Sequence, residues 1–345
     1  MTSTSTSTMR ALLGGAGPDW EVRDVPVPTP GPGQVLVRVR AAALNRADLY
    51  MLQGTYSPDA RTSELFTAGF ELAGEIEAVG AGVESVGVGA RVIGVTLGAF
   101  APYALVDHRH VVVVPGTLGW TEAAGLPVGL ATEYDALVTQ AGFRAGQSVL
   151  VVGGTTSIGL LAVQLAKALG ASRVIATTTS DGKADTLRAV GADVVVNTAT
   201  ENLAEAVGAA TDGTGADIVL DHVGGPLFAD TFLATRVGGT VVSIGRLAGA
   251  ESSVDLDRLA FRRLRVLGTT FSVRTPEEIA DVCAALVPEV VPAVADGRVR
   301  AVVDRVFAFD DAQAAADRMR SNEALGKIVL DMAGPVVGAP GTGPS

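Results

Sequence analysis

The sequence predicts an α/β protein in which a barrel-like β domain is joined to a doubly wound parallel sheet. The first third of the chain carries short apolar runs separated by Gly and Pro, which is typical of small antiparallel barrels. Between about residues 130 and 270, strand-like runs alternate with segments of helical period, as in βαβ units. The 345 residues are 48% hydrophobic, so the chain has enough apolar material for two domain cores.

The first domain is predicted from its β segments, which have alternating or continuous apolar patterns and cover residues 35–39, 69–79, 90–94 and 103–106. The last part of the chain predicts a helix, a strand, a second helix and a last strand over 276–286, 301–307, 310–320 and 327–330. We expect this part to return to the first domain, which then comprises residues 9–130 and 271–332. The Thr/Ser-rich residues 1–8 and the Gly/Pro-rich residues 333–345 predict a disordered leader and tail.

The second domain is predicted over residues 131–270. A fully apolar run at 148–152 is typical of a buried parallel strand. Further strands and helices alternate after it, with strands over 173–176, 193–196, 218–221 and 240–244 and helices over 158–169 and 183–190. This order predicts a parallel sheet covered by helices on its faces.

Composition excludes several classes of function. The formal net charge is −11 and no basic stripe is visible, which argues against nucleic-acid or membrane-surface binding. No run approaches the roughly 18 uninterrupted apolar residues of a membrane span. Cys283 is the single cysteine, so a disulfide framework and a multi-cysteine zinc site are excluded within the chain. The start lacks the features of a secretory signal, and we expect a cytoplasmic protein.

The residues after the first parallel strand have the spacing of a dinucleotide-binding turn. The pattern G-x-G-x-x-G falls on positions 154, 156 and 159, but its middle residue is Thr156. A threonine there lengthens the approach of the pyrophosphate or replaces backbone contacts by hydroxyl contacts, while helix N-terminal amides can still bind phosphate. A turn that binds no ligand is the alternative. The predicted cofactor-binding residues of this turn are Gly154, Thr155, Thr156, Ser157, Ile158 and Gly159.

The end of the second parallel strand favours NADPH over NADH. An NAD site places a carboxylate on the ribose about 20 residues after the fingerprint, yet no Asp or Glu lies between Gly154 and Ser180. Hydroxyl groups and a lysine, which suit a 2′-phosphate, stand there instead: Thr178, Thr179, Ser180 and Lys183. The alternatives are that Ser180 caps a helix, that Lys183 lies on a solvated helix face, and that Asp181 binds a ribose.

Further motifs extend over most of the chain. They include Pro30–Gly31–Pro32–Gly33, Asn45-x-x-Asp48, Gly54-x-Tyr56, Gly69-x-Glu71-x-x-Gly74, Thr132-x-Tyr134, Gln164–Leu165–Ala166–Lys167, Asp221-x-x-Gly224–Gly225 and Gly326–Lys327–Ile328–Val329. From Met9 to Met332 the chain resembles the zinc-independent medium-chain dehydrogenases/reductases of the NADPH:quinone oxidoreductase-like branch. The resemblance implies a GroES-like catalytic domain, a Rossmann domain, and a homodimer formed through an edge strand of the Rossmann sheet.

The resemblance also implies hydride transfer from NADPH to a quinone or an α,β-unsaturated carbonyl, and it assigns roles to individual residues. Asn45, Tyr50 and Tyr56 would line the substrate, and Thr132, Gly245, Phe271 and Lys327 would lie near the cofactor. A hydrogen-bond donor at the carbonyl oxygen would lower the barrier, and either a tyrosine or solvent would protonate the enolate. Asp48 is expected to bind backbone near the site.

The same resemblance argues against a metal ion. Phe70 stands where the zinc-dependent relatives have a histidine, and Asn45–Arg46 stands where their first cysteine lies. A zinc ion needs about four N, S or O ligands, and no such cluster remains, so Glu71 is expected to be a structural partner.

Other interpretations stay open. A 2-enoyl-thioester reductase is the alternative within the reductases. The absence of glycine at Thr156 and Ser157 also allows a cyclase, isomerase or binding protein on the same fold that has lost hydride transfer. His222 follows a strand end at the edge predicted to face the cofactor, so it is either a contact residue or a structural histidine with satisfied ring nitrogens.

Overall fold

The computed structural model describes residues 7–15, 17–53 and 65–333 of the chain. The chain divides into two compact units, and both predicted architectures are confirmed. The first unit, here the β unit, comprises Met1–Val128 and Val302–Ser345, and the second, the α/β unit, comprises Gly129–Ala301. Within the described residues, no helix is both long enough and apolar enough to cross a membrane.

Over residues 7–15, 17–53 and 65–126, the first part of the β unit contains eight strands and two α-helices. The strands are β1 (Thr8–Gly14), β2 (Glu21–Pro26), β3 (Gln34–Ala43), β4 (Phe66–Thr67), β5 (Glu71–Val79), β6 (Arg91–Val95), β7 (Tyr103–Asp107) and β8 (Val111–Val113), and the helices are α1 (Arg46–Leu52) and α2 (Trp120–Ala124). Strand β1 begins inside the residues predicted as a leader, because it pairs antiparallel with β2 from Thr8 onwards. Residues 1–6 of the predicted leader and residues 334–345 of the predicted tail lie outside the described residues.

The α/β unit alternates strands with helices. Its elements are α3 (Pro127–Tyr134), β9 (Ser148–Val152), α4 (Ser157–Ala168), β10 (Arg173–Thr178), α5 (Ala184–Ala189), β11 (Val194–Asn197), α6 (Leu203–Ala210), β12 (Ala216–Asp221), α7 (Gly225–Ala234), β13 (Thr235–Ser243), α8 (Leu256–Phe261), β14 (Arg265–Gly268), α9 (Pro276–Glu289) and α10 (Val291–Ala295), and a π-helical turn (Asp135–Gln140) follows α3. The six strands form one parallel sheet in the order β11-β10-β9-β12-β13-β14. The order reverses between β9 and β12, and ligands of doubly wound sheets bind at the carboxyl ends of the strands at such a reversal.

The chain then returns to the β unit with β15 (Val303–Ala308), α11 (Ala312–Arg320) and β16 (Lys327–Asp331). Strand β16 pairs antiparallel with β3 and thereby joins a sheet in the order β15-β16-β3-β5-β6-β8, in which β7 also pairs with β3. The core of this unit fills the space around Leu72, Ile76 and Phe100, which are fully or almost fully buried.

The return lies later in the chain than the sequence predicts. Residues 271–301 belong to the α/β unit, so the boundary falls after Ala301 and not after residue 270. The side chain of Gln164 on α4 explains the difference. It donates to the Arg300 carbonyl (2.9 Å) and accepts from the Arg300 amide (3.0 Å), which binds the end of this segment to the parallel sheet's own helix. Long-range pairing of this kind has no local sequence signal.

Candidate functional site

The glycine turn between β9 and α4 adopts the strand–turn–helix form predicted for it. Gly153 has a φ of +78°, which favours glycine, and its carbonyl accepts from the Thr156 hydroxyl at 2.9 Å. Thr156 is the N-cap of α4, and its hydroxyl accepts from the Gly159 amide at 3.0 Å. A Cβ on Gly159 would lie 2.4 Å from the Gly153 carbonyl oxygen, so only glycine allows the helix to approach the turn this closely. The hydroxyl at the irregular fingerprint position therefore closes the turn.

The first amides of α4 remain available to a ligand. The Gly159 and Leu160 amides bond to Thr156, whereas those of Ser157 and Ile158 have no acceptor among the residues that the structure describes. A helix N-terminus carries partial positive charge, and its unbonded N–H groups bind phosphate oxygens. The turn thus fits a pyrophosphate without the middle glycine.

At the tip of β10, Thr177 binds the glycine turn, and Thr178 binds the residues that follow the strand. The Thr177 hydroxyl accepts from the Gly153 amide at 2.9 Å, and the Thr177 carbonyl accepts from the Gly154 amide at 3.0 Å. The buried Thr178 hydroxyl accepts from the Ser180 amide and donates to the Ser180 carbonyl, both at 3.1 Å. Thr179 and Ser180 are exposed, so the predicted hydroxyl-rich tip is divided between a structural part and a part open to a ligand.

The side chains of Lys183 and Ser180 lie near this tip and are available to a ligand. Ser180 occupies the cap position of the short turn Asp181–Lys183, but its side chain makes no capping hydrogen bond. In the part of the chain that the structure describes, the half-buried Lys183 ammonium has no carboxylate partner. The Asp181 carboxylate is held instead by the Asn197 amide, whose Nδ2 donates to it at 2.7 Å. A cation and a hydroxyl without protein partners are the groups that a sugar phosphate requires.

The carboxyl end of β12 stands beside that of β9, and its last residues are fully buried. The Asp221 carboxylate accepts from the amides of Val223 (2.9 Å) and Gly224 (3.1 Å). Burial raises the pKa of Asp221, although these amides and the neighbouring His222 oppose the change. The Gly245 amide, one of the predicted cofactor positions, donates to the Asp221 carbonyl at 3.0 Å. Asp221 therefore organises the backbone at this edge.

Both ring nitrogens of the buried His222 have hydrogen-bond partners. Nδ1 lies 2.8 Å from the Val152 carbonyl oxygen, and Nε2 lies 2.8 Å from Oε1 of Glu133 on α3. Burial lowers the pKa of His222, but the Glu133 carboxylate, the Val152 carbonyl and Asp221 outweigh it and raise this pKa overall. Sequence reasoning missed Glu133. The available signal was an acidic residue within an otherwise apolar helical segment, next to Thr132.

The other predicted cofactor positions of the α/β unit lie on separate segments. Thr132 is half-buried on α3, and Phe271 follows β14. The Phe271 ring centroid lies 6.0 Å from Cζ of Arg274, which donates to the fully buried Asp135 carboxylate at 2.5 Å. Asp135 opens the π-helical turn and also accepts from the Thr269 hydroxyl at 2.8 Å, so it anchors the segment that carries Phe271.

In the β unit, the predicted site residues Asn45 and Lys327 meet Asp48 and Glu71 in a buried cluster. The Lys327 ammonium donates to Oε1 of Glu71 and, at 2.7 Å, to Oδ1 of Asn45. Nδ2 of Asn45 donates to the same glutamate oxygen at 2.8 Å, and Oε2 of Glu71 accepts from the Val128 amide at 2.8 Å. Glu71 is a structural partner, as expected. The roles predicted for Asn45 toward substrate and for Lys327 toward cofactor stay predictions.

Asp48 is the second carboxyl group of this cluster, beside Glu71. Its Oδ2 accepts from the Asn45 amide at 2.7 Å, which confirms the expected backbone contact, while its buried Oδ1 has no partner within the described parts of the chain. Burial raises the pKa of Asp48 from 3.8 to about 8, with Glu71 adding to the effect and Lys327 and backbone amides opposing it.

The remaining predictions concern the tyrosines and a metal. Tyr50 lies on α1 with 37% of its surface exposed, and Tyr56 lies outside the described residues. Among residues 7–15, 17–53 and 65–333, no group of three or more His, Cys, Asp or Glu side chains could hold a metal ion. Asn45, at one of the positions compared with zinc enzymes, binds the Lys327 ammonium, as does Glu71.

Comparisons with known proteins agree with this architecture. Residues 31–116 match the family model described as alcohol dehydrogenase GroES-like domain, and residues 157–287 match zinc-binding dehydrogenase. Quinone oxidoreductase from Pseudomonas aeruginosa is 32% identical over 321 residues, which are 91% of this chain and 96% of that protein. The spectinabilin polyketide synthase system protein NorB from Streptomyces orinoci is 33% identical over 86% of this chain, which spans only 13% of that protein. A mycobacterial structure complexed with NADPH superposes with a TM-score of 0.79 at 29% identity, covering 93% of this chain and 99% of that one.

Removing the buried ammonium should strongly destabilise the β unit. In Lys327→Met the Glu71 carboxylate loses its cation while remaining buried, and we expect a loss of about 3–5 kcal/mol in the free energy of unfolding, measured by denaturant titration. Lys167→Met is the matched control, because Lys167 pairs with Asp193 at 2.9 Å on the surface, where a pair contributes about 0–1 kcal/mol. Equal losses in the two variants would contradict the role given to Lys327.

Asp48 should make stability depend on pH. The folded state holds its proton up to about pH 8, whereas the unfolded chain releases it near 3.8, so between these values folding binds a proton and the free energy of unfolding falls as the pH rises. Asp48→Asn keeps an acceptor for the Asn45 amide and cannot ionise. Its stability relative to the parent should therefore rise by up to about 1.4 kcal/mol per pH unit across this window, measured by denaturation at several pH values. The exposed Asp185→Asn should show no such trend.

Proposed function

Because the chain belongs to the quinone oxidoreductase-like branch of the medium-chain dehydrogenases/reductases, we propose that it transfers a hydride from NADPH to a quinone or an α,β-unsaturated carbonyl without a metal ion. The observation that carries the cofactor part is the Lys183 ammonium. It has no carboxylate partner in the described chain and lies at a strand tip where Ser180 offers an uncommitted hydroxyl.

The adenosine end of the cofactor is proposed to lie at the tip of β10. A 2′-phosphate binds donors and cations, and Thr179, Ser180 and Lys183 supply them with Thr178 holding the turn. An unphosphorylated ribose would favour a carboxylate acceptor, but Asp181 is held by Asn197. The NADPH complex of a mycobacterial relative supports the same choice.

The pyrophosphate is proposed to bind at the N-terminus of α4. The amides of Ser157 and Ile158 would donate to its oxygens, while Gly154 and Gly159 keep the turn close to the helix and Thr155 borders it. At the other end of the cofactor, we propose that Thr132, Gly245 and Phe271 border the nicotinamide, which when bound supplies the hydride.

The chemistry required of the protein itself is modest. Reduction of an enone places negative charge on its carbonyl oxygen, which a hydrogen-bond donor stabilises. Tyr50 is partly exposed on α1, the helix that Asn45 begins, and we propose that it donates to this oxygen; Tyr56 remains the second predicted donor. The Asn45 amide is fixed by Lys327 and Glu71, so its proposed part is to hold the start of α1 in place.

A second candidate is reduction of a 2-enoyl thioester. The similarity to NorB, a polyketide synthase protein, favours it because polyketide intermediates are carried as thioesters. A tailoring cyclase or isomerase without hydride transfer is the remaining alternative. In either reductase case, we propose a homodimer through β14, one of the two outer strands of the parallel sheet, whose Val266 is 41% exposed.

The proposed activity can be tested with purified, chelator-treated protein. NADPH should bind with enhanced nicotinamide fluorescence, and its absorbance at about 340 nm should fall when 1,4-benzoquinone or a simple enone is added. A crotonyl thioester added in parallel separates the second candidate, since only a thioester reductase would prefer it strongly. Binding without oxidation by any acceptor would favour the cyclase or isomerase. Stoichiometric zinc that survives chelation, or failure to bind any nicotinamide nucleotide, would overturn the proposal.

Lys183→Ala should separate the two cofactors. Loss of a charged hydrogen bond of about 1.5–3 kcal/mol should weaken NADPH binding roughly 10- to 150-fold and leave NADH nearly unchanged, measured by fluorescence titration. Lys167→Ala, which removes a lysine already paired with Asp193, should change neither affinity. An equal loss for NADPH and NADH in Lys183→Ala would remove the phosphate role.

A further inference from the structure

The pair formed by Glu133 and His222 lies at the point where the strand order of the parallel sheet reverses. His222 follows the last residue of β12, and its ring contacts the carbonyl of Val152, the last residue of β9. Both side chains of the pair are buried, with exposed fractions of 0% and 1%. A titratable pair at the position where doubly wound sheets bind their ligands is a candidate for a functional role.

The hydrogen bonds of the pair fix how many protons it holds. The Val152 carbonyl oxygen only accepts, so Nδ1 of His222 must carry a hydrogen. Across the 2.8 Å between Nε2 and Oε1 of Glu133 there is then room for one proton, on either atom. Without this proton, a lone pair on Nε2 faces a lone pair on Oε1. With two protons, an N–H donor faces an O–H donor. The contact therefore exists only while the pair shares a single proton.

His222 packs against the glycine turn. Its backbone amide also donates to the Val152 carbonyl, at 3.2 Å, so this oxygen is bound twice immediately before Gly153. A Cβ on Gly153 would lie 3.4 Å from the His222 Cβ, and one on Gly245 would lie 2.3 Å from the His222 carbonyl oxygen. Two of the segments that form the proposed cofactor site thus pack directly on this histidine, while Glu133 follows Thr132 on α3.

The buried pair of Glu133 and His222 stabilises the core less than two apolar side chains would. Oε2 of Glu133 is buried and has no hydrogen-bond partner among the residues that the structure describes, and an unsatisfied buried polar atom costs about 1–3 kcal/mol. Two apolar side chains of similar volume would avoid this cost. Stability alone therefore does not account for these two residues.

We propose that Glu133 and His222 are positioning residues for the nicotinamide cofactor. Their shared proton holds the Val152 carbonyl, and with it the turn at Gly153 and the helix that carries Thr132, in the geometry that binds the dinucleotide. This inference rests on the proposed function and adds to it a pH dependence of cofactor binding that originates in the protein.

The direction of that dependence follows from the groups that face the histidine. Glu133 and the Val152 carbonyl contact the ring, and Asp221 precedes it in the chain. Together they raise the pKa of His222 despite its burial, so the shared proton persists above the ordinary histidine value near 6.5 and is lost at higher pH. Cofactor affinity should accordingly fall as the pH rises through this range.

Glu133→Gln removes the dependence. The glutamine Nε2 donates to Nε2 of a neutral His222, and Nδ1 keeps its bond to Val152. When the ring takes up a second proton, the amide can turn over and accept from Nε2 through its oxygen, so the contact needs no shared proton at either end of the pH range. A positioning role therefore predicts an alkaline fall in affinity for the parent and a flat profile for Glu133→Gln, which a merely structural role does not.

The test measures dissociation constants of NADPH and NADH by fluorescence titration between pH 6 and 10. NADH lacks the 2′-phosphate, so a trend shared by both nucleotides does not come from that group. We expect the parent affinity to fall about tenfold toward the alkaline end, while Glu133→Gln changes less than about twofold across the whole range. Glu205→Gln, an exposed glutamate on α6, should follow the parent.

A second variant keeps the proposal testable if Glu133→Gln does not fold. The double variant Glu133→Leu with His222→Leu should be at least as stable as the parent, bind both nucleotides more weakly at neutral pH, and show no alkaline fall in affinity. Parallel pH profiles in the parent and either variant would overturn the positioning role alone. A parent protein that binds neither nucleotide at any pH would instead overturn the proposed function.

Discussion

The carboxyl end of β9 imposes the constraint on which the candidate site depends. At this point the strand must stop, turn within a few residues and begin a helix that packs back against the turn. The Gly153 carbonyl lies where any side chain on Gly159 would collide with it, and the Thr156 hydroxyl joins both residues by hydrogen bonds. Because the strand order reverses beside β9, the amides at the start of α4 face the region where such sheets bind ligands.

Several buried carboxyl groups pair with a basic side chain from the same unit. In the β unit Lys327 binds Glu71 and Asn45, and in the α/β unit Glu133 meets His222 while Arg274 binds Asp135. Desolvating these groups is expensive, and good geometry only partly offsets that cost. In the α/β unit the pairs fix segments next to the glycine turn and next to Phe271. The polar groups therefore fix particular positions of the backbone that an apolar core would specify less sharply.

The glycine turn differs from the dinucleotide-binding pattern at position 156, and the structure accommodates the threonine found there. A glycine at position 156 would let the backbone approach the pyrophosphate, whereas the threonine found there turns its hydroxyl inward and caps α4. The helix keeps two amides for a ligand, and the uncommitted Lys183 and Ser180 lie at the tip of the neighbouring strand. With threonine at position 156, the start of α4 thus still offers amides that could bind a phosphate.

The parallel sheet, the turn after residue 152 and the carboxylate-poor tip of β10 could be predicted from local patterns, because apolar period, glycine spacing and residue type within a short stretch of chain decide each of them. Such patterns also carry the family resemblance that the comparisons confirm. The contact of Glu133 with His222, 89 residues away, and that of Lys327 with Asn45, across 282 residues, become visible only in the folded chain. The same is true of the place of residues 271–301 in the α/β unit. These contacts depend on which strand ends and helices become neighbours after folding, and no local pattern encodes that distance.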